Sequence, residues 1–271
     1  MREFLVRALS GLVYVLVMIG SILIHPLVFL GVFLFLLIVG MLEFYRLGRI
    51  QDSRPLVVPG IVTGVLVFTG TFLVRFYGLD SRILLLVPAA SLVLMILPIF
   101  RSQGPSLVSA ALTFMGLLYV SIPLTTFNYL ATHPYTEGFD YQVILFLFAI
   151  LWLNDTGAYL TGILIGRHKM FPRISPKKSW EGFAGGLLMA LLVTWITRPL
   201  FPDIPALHAW ILCPVMVVSG TLGDLVESAW KRSAGVKDSG TIMPGHGGIL
   251  DRIDSLILAA PVTLLTLILL T

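Results

Sequence analysis

Charge is scarce in this sequence: Lys, Arg, Asp and Glu make up 12% of its 271 residues, where a soluble domain carries about 25%. Cysteine is nearly missing as well. The single Cys213 sits in an apolar run, which excludes an intrachain disulfide and leaves no suggestion of a cysteine-based metal site. Internal repeats and low-complexity tracts are absent, so no repeat architecture is indicated. What is abundant is apolar side chain, at 57% of residues, with a mean hydropathy of +0.97. One soluble core could not hide that much apolar surface, so the class is a polytopic, all-α integral membrane protein. The pI of about 9.3 does not indicate nucleic acid, because the basic residues are scattered between apolar runs instead of gathered on one module.

A helix rising about 1.5 Å per residue needs about 20 apolar residues to cross the hydrocarbon. The sequence offers nine such spans, at 4–24, 27–44, 56–76, 83–100, 107–131, 143–166, 183–201, 207–229 and 249–271. The first is too long for a signal-peptide core and lacks a small-x-small cleavage site before His25-Pro26. With the N-terminus in the cytoplasm, every Lys and Arg except Arg75, Arg82 and Arg198 falls at a cytoplasmic end or loop. One missed or invented helix would flip every later loop, so this agreement also supports the number of spans.

Three regions are expected: N-terminal helices over 1–105, a middle helix with an external loop over 106–142, and a transmembrane region with two cytoplasmic loops over 143–271, where the candidate chemistry gathers. The first region offers little beyond helices, with Gly60-x-x-x-Gly64 as a weak packing hint. The acidic external loop at 133–142 shows no obvious chemistry. Two cytoplasmic loops stand apart, at 166–182 and 228–255.

Five acids lie in or at the edge of spans: Asp155, Asp224, Glu227, Asp251 and Asp254. A charge at mid-membrane costs about 3 kcal/mol even on the lenient insertion scale, so each needs a partner or a wet cavity. Asp224 and Glu227 are i, i+3 near the end of the eighth span, and Asp251 and Asp254 are i, i+3 at the start of the ninth. Both pairs thus sit at the same depth, suiting a hard cation such as Mg²⁺, which usually takes one or two carboxylates plus waters and phosphates. The alternative is neutralisation by Lys231, Arg232 and Arg252, with Glu227 and Asp254 the first candidates.

Neutralisation does not explain Gly245-His246-Gly247-Gly248. Glycines permit close approach of backbone N–H groups to an anion, and this run leads into the N-terminus of the ninth span, whose dipole favours negative charge. Acids for a cation beside amides and bases for phosphate make a nucleotide-phosphate site the economical hypothesis. In the earlier loop Ser175-Pro176 reads as a turn, followed by Lys177, Lys178 and Ser179 ahead of Glu181-Gly182. Taken alone, those lysines are an ordinary positive-inside loop.

The run Ser228-x-x-Lys231-Arg232-x₄-Lys237-Asp238-x₅-Pro244-Gly245-His246-Gly247-Gly248-x₂-Asp251-Arg252-x-Asp254 resembles the C-terminal pattern of phosphatidate cytidylyltransferases, or CDP-diacylglycerol synthases. Asn154-Asp155-Thr156-Gly157-Ala158-Tyr159 with Gly162 is similar to the same family, as is Ser175-Pro176-Lys177-Lys178-Ser179-Trp180-Glu181-Gly182. The family more often has threonine where Ser179 stands, and the hydroxyl is retained. The resemblance covers about 150–255, and the early helices match only in hydropathy.

The resemblance implies the reaction CTP + phosphatidic acid → CDP-diacylglycerol + pyrophosphate, Mg²⁺ dependence, a bacterial inner-membrane location and a homodimer. The site would face the cytoplasm and open sideways to the inner leaflet. The lipid phosphate is itself the nucleophile, so catalysis rests on positioning and on neutralising phosphate charge. Asp224 and Asp251 are the expected metal ligands, with Asp254 a further ligand or in support, and Asp155 lining the same cavity. Lys231, Arg232 and Lys237 are expected on CTP phosphates or the departing pyrophosphate. Lys177 and Lys178, flanked by Ser175 and Ser179, would hold either pyrophosphate or the lipid phosphate. Asp238, Gly247, Gly248 and Arg252 complete the expected substrate-binding set. His246, counted with the catalytic residues, is expected to hydrogen-bond phosphate or backbone, since a phosphate nucleophile hardly needs a base near neutral pH.

The nearest rival is a CTP-dependent polyprenol or dolichol kinase. A CDP-alcohol phosphotransferase fits less well, because Asp251-Arg-Ile-Asp254 continues into Ser-Leu and not Gly. An ion-coupled transporter would place its acids near mid-bilayer in two related halves, whereas here they gather in the second half at cytoplasmic ends.

Overall fold

The computed structural model describes residues 2–50, 54–100, 107–132, 138–245 and 247–271, with side chains from residue 6 onward except 7, 49 and 50. Among these residues eight helical segments are long and apolar enough to cross a membrane, and Ala8–Ile24 of the first helix is apolar as well. The expected set of nine hydrophobic helices is therefore present. Contacts group the chain into two units, Met1–Asn128 with Ala234–Ile253 and Tyr129–Ser233 with Asp254–Thr271.

The first unit holds α1 (Arg2–Ile24), α2 (Pro26–Ile50), α3 (Val57–Tyr77), α4 (Leu86–Ile96), α5 (Leu107–Gly116) and most of α6 (Ile122–Leu130). Helices α1 and α2 are separated only at His25, whose carbonyl accepts from the N–H groups of Val28 and Phe29. Pro26 suits the first position of α2 because the N–H it lacks would have no helical partner there. A cluster of Phe29, Phe33, Phe68 and Phe127, all fully buried, joins the interior faces, with Phe29 and Phe33 ring centroids 4.3 Å apart. The Gly60-x-x-x-Gly64 hint marks a real contact. A Cβ on Gly60 would strike the Tyr45 ring, and one on Gly64 would lie 2.7 Å from Met41 Sδ, so α3 rides directly on α2. The Tyr45 hydroxyl donates to Thr113 O at 2.9 Å, meeting the demand that a buried polar group find a partner.

The second unit holds α7 (Gln142–Ile165), β1 (Lys169–Phe171), β2 (Ser175–Ser179), α8 (Trp180–Thr197), α9 (Ala206–Ser233) and all but the first turn of α10 (Leu250–Leu270). Helices α7 and α8 touch backbone to backbone along Gly182 and Gly186. A Cβ at Gly182 would stand 2.9 Å from Ala158 O and one at Gly186 2.8 Å from Asn154 O. At 28 residues α9 is about 42 Å long, more than the ~30 Å hydrocarbon thickness, so its charged last turns can reach the water side.

The one sheet among the described residues is the antiparallel β1–β2 ribbon. Its turn is not at Ser175-Pro176, where the sequence reading puts it. The chain reverses at Pro172–Ile174, closed by Ile174 N–H to Phe171 O at 3.1 Å, and Ser175 and Pro176 already belong to β2. Pro172 presets the φ of the second turn position, while Pro176 sits in a two-stranded ribbon, where each strand keeps one edge that needs no donor.

Candidate active site

The polar end of α9 carries the centre of the site. Its helical period stacks Asp224, Glu227 and Lys231 on one side, with Glu227 and Lys231 at i, i+4. Gly223 lets α10 approach, because a Cβ there would stand 2.5 Å from Asp254 O. Asp254 is thereby brought beside α9, and one oxygen from each of Asp224, Glu227 and Asp254 lies within 4.8 Å of the others. Asp224 and Asp254 are half-buried and Glu227 is buried. Three clustered carboxylates are the donor set of a hard cation.

Two lysines face this cluster. Lys178 Nζ lies 2.5 Å from Asp224 Oδ2, and Lys231 Nζ lies 2.5 Å from Glu227 Oε2. The pairing of Glu227 with Lys231 is the structural neutralisation foreseen for Glu227. Both partners are buried, so Lys231 is engaged inside the protein and does not present an open cation for phosphate.

Lys177 is exposed while Lys178 is half-buried toward α9, a distinction invisible in the sequence pair. The strand ends at Ser179, whose hydroxyl caps α8 by accepting from Gly182 N–H at 3.1 Å. Threonine serves the same purpose, which accounts for a hydroxyl at this position. Glu181 anchors the other side of the ribbon, accepting from the N–H groups of Arg167 and His168 and contacting His168 Nδ1 at 2.5 Å. Between ribbon and helices lies a cavity of about 200 Å³, lined by Asn154, Asp155, Tyr159, Lys177, Lys178, Ser179 and Thr221 among others. That is below the ~300–1,000 Å³ of sites enclosing a whole small molecule, and suits one phosphate end of a substrate. Asp155 is exposed and borders this cavity, while Ser175 lies earlier on β2, half-buried.

In the first unit, the segment before α10 is organised by two carboxylates. Asp251 Oδ2 accepts from the N–H groups of Gly248 at 2.7 Å and Ser239 at 3.0 Å. Glu43, on α2 and 1% exposed, accepts from Leu250 N–H at 2.8 Å, Ile249 N–H at 3.2 Å and Ser239 Oγ–H at 3.1 Å. The sequence reading assigns the glycine run to a bound anion. Here, instead, the donors at the start of α10 serve the protein's own acids. The glycines admit those acids: a Cβ at Gly248 would land on Ser239 Oγ and Glu43, and Gly247 adopts φ +85°, which a side chain disfavours. Glu43 escaped the sequence reading because it closes an apolar span. The available signal was a lone carboxylate in a segment of hydropathy 2.7.

The remaining expected residues scatter by role. Arg232, Lys237 and Asp238 are exposed, and Arg252 is half-buried with its carbonyl accepting from Tyr14 OH at 3.2 Å. His246 lies outside the described residues. Within the second unit Glu227 joins Asp224 and Asp254 in the carboxylate cluster.

Comparison with known proteins identifies the family. Residues 5–270 match the model of the cytidylyltransferase family. A phosphatidate cytidylyltransferase of Staphylococcus saprophyticus is 36% identical over 271 residues, covering 97% of this chain and 98% of its own. One of Staphylococcus epidermidis is 44% identical over 183 residues, covering 66% of this chain and 67% of its own, and one of Staphylococcus aureus is 43% identical over 183 residues with the same coverage. A match spanning nearly the whole chain is a sufficient basis for assignment: the chain belongs to the cytidylyltransferase family.

Proposed function

We propose that the protein transfers CMP from CTP to phosphatidic acid, giving CDP-diacylglycerol and pyrophosphate. The observation that carries the reading is the carboxylate cluster of Asp224, Glu227 and Asp254 beside the lysine-lined cavity, in a membrane-spanning chain whose family is that of cytidylyltransferases. A phosphate oxygen of the lipid attacks the α-phosphorus of CTP, and the bond from that phosphorus to the pyrophosphate oxygen breaks in line. No covalent enzyme intermediate is needed.

Mg²⁺ is the proposed cofactor, and when bound it neutralises charge developing on the phosphates. The donor set fits it: Asp224 and Asp254 would hold it, with Glu227 adjacent. Asp251 stays in the proposal as a ligand on the resemblance of Asp251-Arg252-x-Asp254 to the family pattern, its carboxylate oriented by the Ser239 and Gly248 amides. Lys177 and Lys178 hold one phosphate end, that of pyrophosphate or of the lipid. Arg232 and Lys237, both exposed, and Asp238 act on the nucleotide side, with His246 and Arg252 contributing from the same segment. The catalytic part is assigned to 143–271. The distribution of Lys and Arg supports a cytoplasmic N-terminus and a site on the cytoplasmic face of a bacterial inner membrane. A homodimer is proposed from the family resemblance alone.

The test is an assay of protein purified in detergent with Mg²⁺, phosphatidic acid and CTP carrying a label on the γ-phosphate. Label released in pyrophosphate, matched by CDP-diacylglycerol, is the expected result. Label transferred to the lipid would establish a kinase instead and overturn the reading.

A further inference from the structure

The geometry points to Glu43 as a positioning residue for the reaction: from α2 it holds the Ser239–Leu250 segment in the form in which that segment's charged neighbours, Lys237 and Asp251, meet substrate. This rests on the reading given under Proposed function, which assigns those neighbours to nucleotide and metal.

Three independent features converge on the Glu43 carboxylate. It is 1% exposed, so its charge must be met inside the protein. The groups that meet it come from both ends of one segment, Ser239 Oγ at the start and the N–H groups of Ile249 and Leu250 at the finish. It therefore closes the segment as a clasp closes a loop, and it also sits at the positive end of α10. The intervening chain has been shaped around it: a Cβ on Gly240 or on Gly248 would land on the Glu43 carboxylate. Those glycines consequently report the space that Glu43 requires.

Asp251 is tied into the same clasp. Its oxygens accept from Ser239 N–H and Gly248 N–H, the residues whose side chain and backbone lie against Glu43. Releasing Glu43 therefore frees Ser239 to move, and with it the hydrogen bonds that orient the Asp251 carboxylate. A ligand's orienting partner behaves in this way when its loss reduces binding without dismantling the fold.

The experiment uses full-length protein in detergent and measures CTP binding at equilibrium with Mg²⁺ and no lipid acceptor, alongside kcat, KM and the unfolding midpoint. Glu43→Gln keeps the shape but removes the charge and replaces one accepting oxygen by an amide NH₂, which confronts either the Ile249 N–H or the Leu250 N–H and Ser239 hydroxyl. It is expected to weaken CTP binding and lower kcat by about tenfold or more each, in a protein whose unfolding still resembles the wild type. Glu43→Asp, which keeps the charge on a shorter arm, should fall between. CTP affinity and kcat within twofold of wild type in folded Glu43→Gln would overturn the positioning role, as would a loss confined to the unfolding midpoint. Should Glu43→Gln not fold, Ser239→Ala and Gly240→Ala decide, and wild-type CTP affinity in both would overturn it. Failure of the wild type to bind CTP would sink the reading of the site itself, whereas wild-type binding with an indifferent Glu43→Gln sinks only the role of Glu43.

Discussion

Lys178 Nζ lies 2.5 Å from Asp224 Oδ2, joining the β-ribbon to the polar end of α9. Its neighbour Lys177 remains exposed at the cavity. The two lysines should therefore differ. Lys178→Ala is expected to reduce kcat/KM at least about tenfold more than Lys177→Ala, because a charge fixed against a second group is worth more than one in solvent. Steady-state assays of both variants check this, and equal losses would mean the ribbon presents them alike.

Asp224 combines the lysine contact with membership of the carboxylate cluster. Asp224→Asn is expected to lower kcat by about 10³-fold, near 4 kcal/mol, with the protein still folded. Asp251→Asn is the informative companion. A comparable loss would support Asp251 as a ligand, and a smaller one with weaker Mg²⁺ dependence would confine it to ordering the Ser239 and Gly248 amides.

The Glu227–Lys231 pair is buried on both sides. Removing one partner strands the other charge, so Lys231→Met is expected to destabilise by about 3–5 kcal/mol, and Glu227→Leu with Lys231→Met to recover much of that. Thermal unfolding in detergent measures both. A Lys231→Met protein as stable as the wild type, with activity lost, would return Lys231 to the phosphate-binding role read from the sequence.

Gly223 is where α9 and α10 meet closest around Asp254. Gly223→Ala forces the helices apart, at about 1–3 kcal/mol, and moves Asp254 relative to Asp224. Mn²⁺ binding, read by electron paramagnetic resonance, is expected to weaken about tenfold.

Ser179 caps α8 through its hydroxyl. Ser179→Thr should leave stability unchanged, and Ser179→Ala should lower it by about 1 kcal/mol. Unfolding midpoints of the two variants make the comparison.

Much of the architecture was legible because the bilayer is a demanding solvent. Long apolar runs must become helices that satisfy their own backbone, and so the nine spans read from hydropathy reappear as helices. The acids of α9 and Asp254 were legible for a related reason, since a carboxylate in such a span needs a partner. Which partner was not legible. Glu227 and Lys231 are four residues apart and their pairing could be foreseen, but Lys178 reaches Asp224 through a ribbon whose turn lies at Pro172–Ile174 and not at Ser175-Pro176.

By itself the sequence determined the membrane class, the helical spans and the residue types that chemistry requires, because hydropathy and charge act locally and have few solutions in lipid. Only the tertiary structure decided that Glu43 closes the glycine-rich segment, that Lys178 and not Lys177 faces Asp224, and that Glu227 joins Asp224 and Asp254. Those outcomes depend on which backbones approach within a side chain's reach, and such approach is set by packing between residues far apart along the chain.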